Sequence, residues 1–251
     1  MCYATPTVLN SEIHSFVKPR TVIINATTTK TKKIETHPFN DIYGLPSIKK
    51  NTTKLILGSF PAFQVTNKES PRLEFYYGSN DNKFWDLIHK VLEIESELTV
   101  ANILKYLEQN NFGIIDIIRK CYRKDNNSSS DKDLSIVEFQ DVIDILKNSK
   151  IDTIYTTSNF VTKLLKQQIE PLLEKKSKRN EVFMPIKFAD FEFEQVSLPA
   201  EIFKTHRQLS IKTLYSPSDQ ALRGITKGIN SKKLNTDACS YRLKQYIQLL
   251  K

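Results

Sequence analysis

One short stretch of the chain holds the residue types best suited to chemistry. FYYGSNDNKFW, from Phe75 to Trp85, surrounds a run of small polar residues with five aromatic side chains. A surface loop rarely carries so many rings, and a buried strand would not hold Gly-Ser-Asn-Asp-Asn at its centre. An apolar wall over a polar floor is what a pocket for a flat, polar ring requires. The stretch therefore predicts a binding pocket.

Positive charge is concentrated near the C-terminus. The whole chain has 37 Lys and Arg against 28 Asp and Glu, a net charge of +9. From Lys204 to Lys251, ten cations face only Asp219 and Asp237, so this segment supplies +8 and residues 1–203 supply +1. A localised positive field predicts a polyanionic partner, although a lysine-rich face can also serve solubility alone. The loop SPSDQALRG lies inside this region and favours the polyanion.

Composition indicates one main globular domain. Hydrophobic residues make up 39% of the chain, and no apolar run approaches the roughly 18 residues that cross a membrane. The first residues lack the features of a secretory signal, so we expect a cytoplasmic protein without a membrane partner, and a monomer. Three cysteines and four histidines are scattered without metal-binding spacing, so we expect neither a metal nor another cofactor. Residues 1–35 are a Thr/Lys-rich extension, and residues 36–251 form the domain.

Alternating patterns predict the elements that position the pocket. Four apolar runs are typical of strands: KLILG at 54–58, FGIIDII at 112–118, IDTIYTT at 151–157 and IKTLYS at 211–216. Helical patterns between them predict a parallel sheet. The helices are expected from about Asn82 and at 98–107, 138–148, 158–170 and 236–250, with an edge hairpin in VFMPIKFADFEFEQVSL.

The loops that follow the strands should meet at one edge of this sheet. Ligands of open parallel sheets bind beyond the carboxyl ends of the strands. That edge would gather GSFPAF with FYYGSNDNKFW, then RKCYRKDNNSSS, and then SPSDQALRG. In the second of these loops, location and charge favour contacts with phosphates over a mobile linker. The residues concerned are Arg119, Lys120, Arg123 and Lys124.

Taken in order, four segments resemble the signature motifs of the uracil-DNA glycosylase superfamily, in particular the branch that includes hypoxanthine-DNA glycosylases. They are LILGSFPAF, YYGSNDNKFW, GIIDIIRKCYRKDNNSSS and LYSPSDQALRG, and the resemblance covers roughly residues 37–228. It implies a three-layer α/β/α fold with a central, mainly parallel four-stranded sheet. It also implies a monofunctional DNA glycosylase that removes a deaminated base, uracil or hypoxanthine, and so initiates base excision repair without a cofactor.

Glycosylase chemistry requires an extruded nucleotide, an enclosed base and a stabilised oxocarbenium-like sugar while water attacks. The resemblance gives the catalytic amide to Asn82, which could instead cap the following helix. Phe60 stands where many relatives carry an acidic or amide side chain. Asp81 or Asp116 could therefore substitute, or the protein could bind DNA without cutting it. The base pocket is predicted from Gly58, Ser59, Phe60, Pro61, Tyr76, Tyr77, Phe84 and Asp116, with simple packing as the alternative for each ring.

The last motif also departs from its relatives, because Ser216 replaces the histidine that many of them place before Pro-Ser. Stabilisation of the departing base must then be weaker or come from elsewhere, and Ser218, its backbone N–H or a tyrosine hydroxyl could supply the hydrogen bond. The resemblance implies that the Ser-Pro-Ser turn pinches phosphates and that Gln220 or Leu222 wedges into the emptied stack. The DNA-binding residues predicted here are Ser216, Pro217, Gln220, Leu222, Arg223 and Lys227. A small-molecule nucleoside hydrolase would fit the pocket but leave the basic region unexplained.

Overall fold

Strands and helices alternate along the chain. The computed structural model describes residues 33–94, 97–124, 128–173, 182–204 and 206–250, so most of the predicted extension at 1–35 lies outside the described residues. The strands are β1 (Glu35–Thr36), β2 (Lys54–Gly58), β3 (Phe112–Asp116), β4 (Ile118–Arg123), β5 (Leu134–Phe139), β6 (Thr153–Thr156), β7 (Met184–Phe188), β8 (Phe191–Leu198) and β9 (Arg207–Thr213). The helices are α1 (Leu45–Ser47), α2 (Phe63–Thr66), α3 (Phe84–Leu92), α4 (Val100–Gln109), α5 (Val142–Asn148), α6 (Asn159–Leu173), α7 (Ala200–Phe203), α8 (Leu222–Ser231) and α9 (Ala238–Leu250).

The central sheet has the strand order β3-β2-β6-β9-β8-β7. The first four of these strands are parallel, as predicted. The expected edge hairpin is also present, because β7 pairs antiparallel with β8. The prediction of a four-stranded sheet was wrong. Strand β8 pairs antiparallel with β9, from Glu194 opposite Ile211 to Leu198 opposite Arg207. The hairpin therefore extends the same sheet to six strands.

Helices cover both faces of the sheet. Successive side chains of a strand point to opposite faces. In β2, Leu55 and Leu57 join a core with α5, α6 and α7, while Ile56 joins a second core with α3, α4 and α9. A fully buried Leu or Ile side chain contributes about 1.5–3 kcal/mol, so both faces need their helical cover. The α/β class and the three layers are thereby confirmed.

A second, three-stranded sheet follows directly after β3. Strand β4 leaves the central sheet after Ile117 and pairs antiparallel with both β1 and β5. The prediction of a loop at RKCYR was therefore wrong. Pairing of β4 with β5 shifts register on both sides of Lys120, and such a bulge breaks the alternation by which a strand is recognised in sequence. Since Phe139 ends β5, α5 begins at Val142 rather than at 138.

The helix predictions were otherwise confirmed to within a few residues. Phe84, Trp85, Ile88 and Val91 form the buried face of α3, as their helical spacing predicts. Helix α8 was missed because Gly224 and Gly228 lower the helix propensity of its sequence. Within the part of the chain that the structure describes, no helix has both the length and the apolar character to cross a membrane.

Candidate active site

A cavity of about 420 Å³ lies at the carboxyl edge of the four parallel strands. Each strand contributes residues at or just after its last position: 59–62 after β2, Asp116 at the end of β3, 157–158 after β6 and 216–220 after β9. The stretches 64–65, 77–79, 81–82 and 129–131 complete the wall. The structure thus brings the predicted loops together, although only the end of the second loop reaches the cavity.

Most of the predicted site residues line this cavity. They are Ser59, Phe60, Pro61, Tyr77, Asp81, Asn82, Asp116, Ser216, Pro217, Ser218 and Gln220. The other predicted residues lie away from the cavity surface. They are Gly58, Tyr76, Phe84, Arg119, Lys120, Arg123, Lys124, Leu222, Arg223 and Lys227. Of the two residues predicted to wedge into DNA, Gln220 is exposed at the cavity rim, whereas Leu222 is only partly exposed at the start of α8.

Two of the predicted stacking rings are core residues. Tyr76 and Phe84 are both 0% exposed, and neither reaches the cavity. The Tyr76 hydroxyl donates a 2.8 Å hydrogen bond to Asn40. The Phe84 ring packs under Tyr77, with 4.2 Å between centroids. Their assignment to the base pocket was therefore wrong, and the simple packing alternative holds for both. Phe60 and Tyr77 are the rings that remain at the cavity wall.

Asn82 joins two loops of the cavity. It forms an isolated β-bridge with Ser218, and the N–H of Lys83 donates to the carbonyl of Pro217 at 3.1 Å. The Asn82 Oδ1 atom accepts the N–H of Phe84 at 2.9 Å, at the start of α3. The Asn82 side chain thus bonds to the first residue of α3, although the N-cap position itself is Lys83 and has no side-chain capping bond. The Nδ2 group makes no hydrogen bond to a described residue, so the amide can bond to the start of α3 and also donate into the cavity.

Asp116 is held by a buried network that the sequence did not reveal. The Nδ1 atom of His37 accepts the N–H groups of Phe39 and Asn40, so the proton must lie on Nε2, which donates to Asp116 Oδ2 at 2.9 Å. Asn40 also holds the backbone of Asp116. Its Nδ2 group donates to the Asp116 carbonyl, and its Oδ1 atom accepts the Asp116 N–H. These contacts fix the Asp116 side chain against the cavity floor. Neither His37 nor Asn40 lies in a recognisable motif.

The second oxygen of Asp116 faces a tyrosine at the cavity floor. Asp116 Oδ1 and the Tyr77 hydroxyl are buried, and neither makes a hydrogen bond of ordinary geometry to a described residue, although the Thr157 hydroxyl lies close enough to Tyr77 to lower its pKa slightly. Burial raises the pKa of the Tyr77 hydroxyl well above its usual value, and the Asp116 charge adds to the shift. Tyr77 is therefore a neutral hydroxyl at any physiological pH. Its ring closes one wall of the cavity.

Asp131 is a further acidic residue of the cavity wall. It begins a 3-10 turn, Asp131–Asp133, between β4 and β5. Its Oδ1 atom accepts the Ser59 hydroxyl at 2.6 Å, which places the carboxylate beside Phe60. Burial raises the pKa of Asp131, and the Asp116 charge also raises it, while Ser59 and Arg123 act in the opposite direction. Sequence reasoning missed this residue, because nothing in the Ser-rich segment before it distinguishes it from other loop acids.

The cations of β4 are tied to the protein rather than to the cavity edge. Arg119 pairs with Asp41 and Glu138, at 3.2 and 3.3 Å. Arg123 is buried and donates to Glu35, to the Ser128 carbonyl and to the Pro61 carbonyl. A phosphate could reach Arg123 only by breaking these bonds, so its prediction as a DNA contact was wrong. Its guanidinium instead anchors the two cavity loops 59–62 and 128–131.

Comparison with known proteins gives a consistent result. The chain is 33% identical over 107 residues to a hypoxanthine DNA glycosylase of Methanosarcina barkeri, covering 42% of this chain and 65% of that protein. It is 34% identical over 98 residues to a hypoxanthine DNA glycosylase of Methanosarcina acetivorans, covering 38% of this chain and 59% of that protein. The matched part is thus less than two thirds of either relative. No family model matches the chain.

The resemblance to the uracil-DNA glycosylase superfamily, on its hypoxanthine branch, is thereby confirmed. A solution NMR structure from Methanosarcina acetivorans, provisionally named a uracil DNA glycosylase, covers 87% of this chain and 100% of its own. Its identity is 19% and its TM-score 0.47.

The Ser-Pro-Ser turn of the superfamily motif is braced from behind by α9. Arg242 is only 3% exposed. Its Nη1 atom donates to the carbonyls of Ser216 and Ser218, at 3.3 and 3.1 Å. Sequence reasoning counted Arg242 in the positive field. The helical spacing that puts it on one face with the buried Tyr246 and Leu249 indicates the buried position instead.

Several cations of the basic C-terminal segment are bonded to other parts of the protein. Arg207 donates to the carbonyls of Leu146 and Ser149, and Lys212 donates to the carbonyl of Leu249. Lys244 pairs with Asp190. The exposed cations of this region without a partner among the described residues lie on α8 and just after it. They are Arg223, Lys227, Lys232 and Lys233.

A methyl group at Gly58 should damage the cavity floor. An added Cβ would clash with Asp116 Oδ1 and with the Tyr77 hydroxyl, both of which are fixed by their surroundings. We expect Gly58→Ala to destabilise the protein by about 1–3 kcal/mol in urea denaturation. Gly224→Ala is the control, because open space surrounds that position and alanine favours a helix. Equal midpoints for the two variants would contradict the crowded floor.

The described residues contain no group of three or more His, Cys, Asp or Glu side chains that could hold a metal ion. The described side chains that line the cavity offer amide, carboxylate, hydroxyl and aromatic groups. Such groups can bind a base through hydrogen bonds and ring contacts.

Proposed function

We propose that the chain is a monofunctional DNA glycosylase that hydrolyses the N-glycosidic bond of a deaminated base in DNA. The observation that carries the proposal is the meeting of Asn82, Phe60, Tyr77 and the Ser-Pro-Ser turn in one cavity at the carboxyl edge of the sheet. A volume of about 420 Å³ is in the range of small-molecule sites, as an extruded base requires. The two hypoxanthine DNA glycosylases to which the chain is similar make hypoxanthine the first base to test.

The geometry supports a separate role for each of these side chains around an extruded nucleotide. The rings of Phe60 and Tyr77 offer faces or edges for stacking on a base. The Nδ2 group of Asn82 can orient the attacking water or hold the base edge. Ser218, bridged to Asn82, lies within reach of the same space and can donate a hydrogen bond to the departing base anion.

The composition of the wall supports hydrolysis by water rather than attack by an amine. An enzyme that also cleaves the DNA backbone would need an amine nucleophile that forms a Schiff base with the sugar. None of the described residues that line the cavity is a lysine. The proposed product is therefore an abasic site in an intact strand.

A DNA-binding protein without catalysis is the second candidate. Phe60 supports it, because a ring cannot take a proton from water and it stands where many superfamily members carry an acid or amide. In the structure Phe60 is 8% exposed and packs against His37. A nucleoside hydrolase is the third candidate, but this function would not explain the exposed cations of α8.

Labelled oligonucleotides that carry uracil, hypoxanthine or xanthine test all three candidates. We expect a strand break at the lesion only after alkali, with hypoxanthine or uracil as substrate and with undamaged DNA intact. A break without alkali would contradict the monofunctional assignment. Salt-sensitive binding without any release of base would favour the non-catalytic protein. Hydrolysis of free inosine with every oligonucleotide left intact would favour the nucleoside hydrolase.

A further inference from the structure

Water attack at the sugar carbon releases a proton, and few groups of the cavity can accept it. An amide such as Asn82 offers donors and an acceptor for hydrogen bonds but is not a base. The described residues that line the cavity include the acids Asp81, Asp116, Asp131 and Asp219 and no histidine. The acceptor for the proton must therefore be a carboxylate or bulk water.

The four carboxylates differ in what surrounds them. Asp81 and Asp219 are exposed, so they share their environment with bulk water. Asp116 Oδ2 is taken by His37, and Asp116 Oδ1 is buried away from water. Asp131 alone of these is half-buried with one oxygen oriented by a neutral donor, the Ser59 hydroxyl. The Ser158 hydroxyl is a second neutral hydrogen-bond donor to this carboxylate.

We infer that Asp131 is the general base of the proposed glycosylase reaction, supplying from the β4–β5 connection the carboxylate that Phe60 does not provide. Its bond to Ser59, the residue before Phe60, brings it to the same part of the wall. Arg123 holds both loops in place through the carbonyls of Pro61 and Ser128. The inference rests on the proposed function.

The step balances without any other reactant. The water oxygen forms a bond to C1′ of the extruded nucleotide, and one water proton passes to a carboxylate oxygen of Asp131. The bond between C1′ and the base nitrogen breaks, and its electron pair leaves with the base. The proton on Asp131 then passes to the base or to solvent, which regenerates the carboxylate.

The surroundings of Asp131 act on its pKa in both directions. Burial raises its pKa and the Asp116 carboxylate of β3 raises it further. The hydroxyls of Ser59 and Ser158 lower it, and so does the Arg123 guanidinium of β4. The neutral Tyr77 hydroxyl also lies on this wall. Since the ionised form must accept the proton, excision should fall as the pH falls through this raised pKa.

Asp131→Asn tests the inference with Asp133→Asn as its matched control. Asparagine keeps an oxygen for the Ser59 hydroxyl but cannot accept the proton. Asp133 lies on the same turn and accepts the Ser128 hydroxyl at 2.6 Å, outside the cavity. In single-turnover excision from the best lesion substrate, we expect D131N to lose about 10²–10⁴-fold in rate and to lose the acid limb of the pH profile. D133N should keep both, and the DNA affinity of both variants should be unchanged.

Ser59→Ala supplies a second readout that a merely structural role would not move. Removing a hydroxyl that lowers the Asp131 pKa should shift the acid limb to higher pH. The assignment would be overturned if the acid limb of the pH profile of Ser59→Ala stayed at its wild-type position. It would also be overturned by a D131N rate within about threefold of wild type. A wild-type chain that releases no base would overturn the proposed function itself, whereas equal cutting by wild type and D131N removes only Asp131.

Discussion

Asn82→Ala should lower the single-turnover rate of base release by about 10²–10³-fold, the usual effect of removing one well-placed hydrogen-bond donor from an active site. The affinity for lesion-containing DNA should stay within about twofold of wild type, because the amide is assigned to the transition state and not to a phosphate. Excision and binding are measured on the same oligonucleotide, so that a rate effect is separated from an affinity effect.

The capping bond of Asn82 makes a control necessary. Alanine also removes the oxygen that accepts the Phe84 N–H, and loss of such a cap costs about 1 kcal/mol of stability. Asn82→Ser keeps an oxygen at this position but lacks the amide donor. We expect Asn82→Ser to unfold at the wild-type urea midpoint while losing as much activity as Asn82→Ala. An active Asn82→Ser variant would mean that the cap, and not the amide, explains the residue.

The contact of Asn82 with the start of α3 could be predicted from sequence because it is local. The residue precedes Phe84 and Trp85 at the start of a helix, and the capping preference of Asn follows from that spacing. The parallel strands could also be predicted from sequence, since runs such as KLILG are apolar on both faces and are separated by helical patterns. Because ligand sites of open parallel sheets lie beyond the carboxyl ends of the strands, the loops of the cavity could be expected to lie together.

The parts that escaped prediction depend on pairings between distant residues. Nothing near His37 indicates that its ring will meet Asp116, which lies 79 residues later. The basic composition of β4 was taken for a surface loop, yet its pairing with β1 and β5 buries Arg123 against Glu35. Charge can be counted from sequence, but whether a cation is free depends on partners that only the fold brings near.

In the aromatic stretch from Phe75 to Trp85, too, the sequence pattern does not tell which side chains the fold buries. Five rings between Phe75 and Trp85 predicted a pocket wall, and Tyr77 does line the cavity. The other four are buried in the core beneath the loop, where Phe75 and Tyr76 are both 0% exposed. Tyr77 has a positive φ of 56°, so the backbone turns there and sends its ring toward the cavity, away from its neighbours. Sequence patterns do not encode such a turn at a non-glycine residue.

Removal of two cations from α8 should weaken DNA binding by the chain on the order of tenfold for every lesion alike. Arg223 and Lys227 lie one helical turn apart and are both exposed, directly after the Ser-Pro-Ser turn. If both reach phosphates, Arg223→Ala with Lys227→Ala should flatten the slope of log affinity against log salt by about one to two units. The preference among lesions should not change, because no residue of the cavity wall is altered.

Lys49→Ala with Lys50→Ala is the matched control for that variant. Both lysines are exposed and precede β2, so they lie at the amino edge of the sheet, opposite the cavity. Removing them lowers the net charge of the chain by the same two units but should leave the salt slope within error of wild type. Counterion release depends on the phosphates that are contacted, whereas a general effect of net charge would act in both variants alike. An equal loss of slope in both double variants would show that α8 is an ordinary solvated face and that the Ser-Pro-Ser turn meets DNA without electrostatic help from this helix.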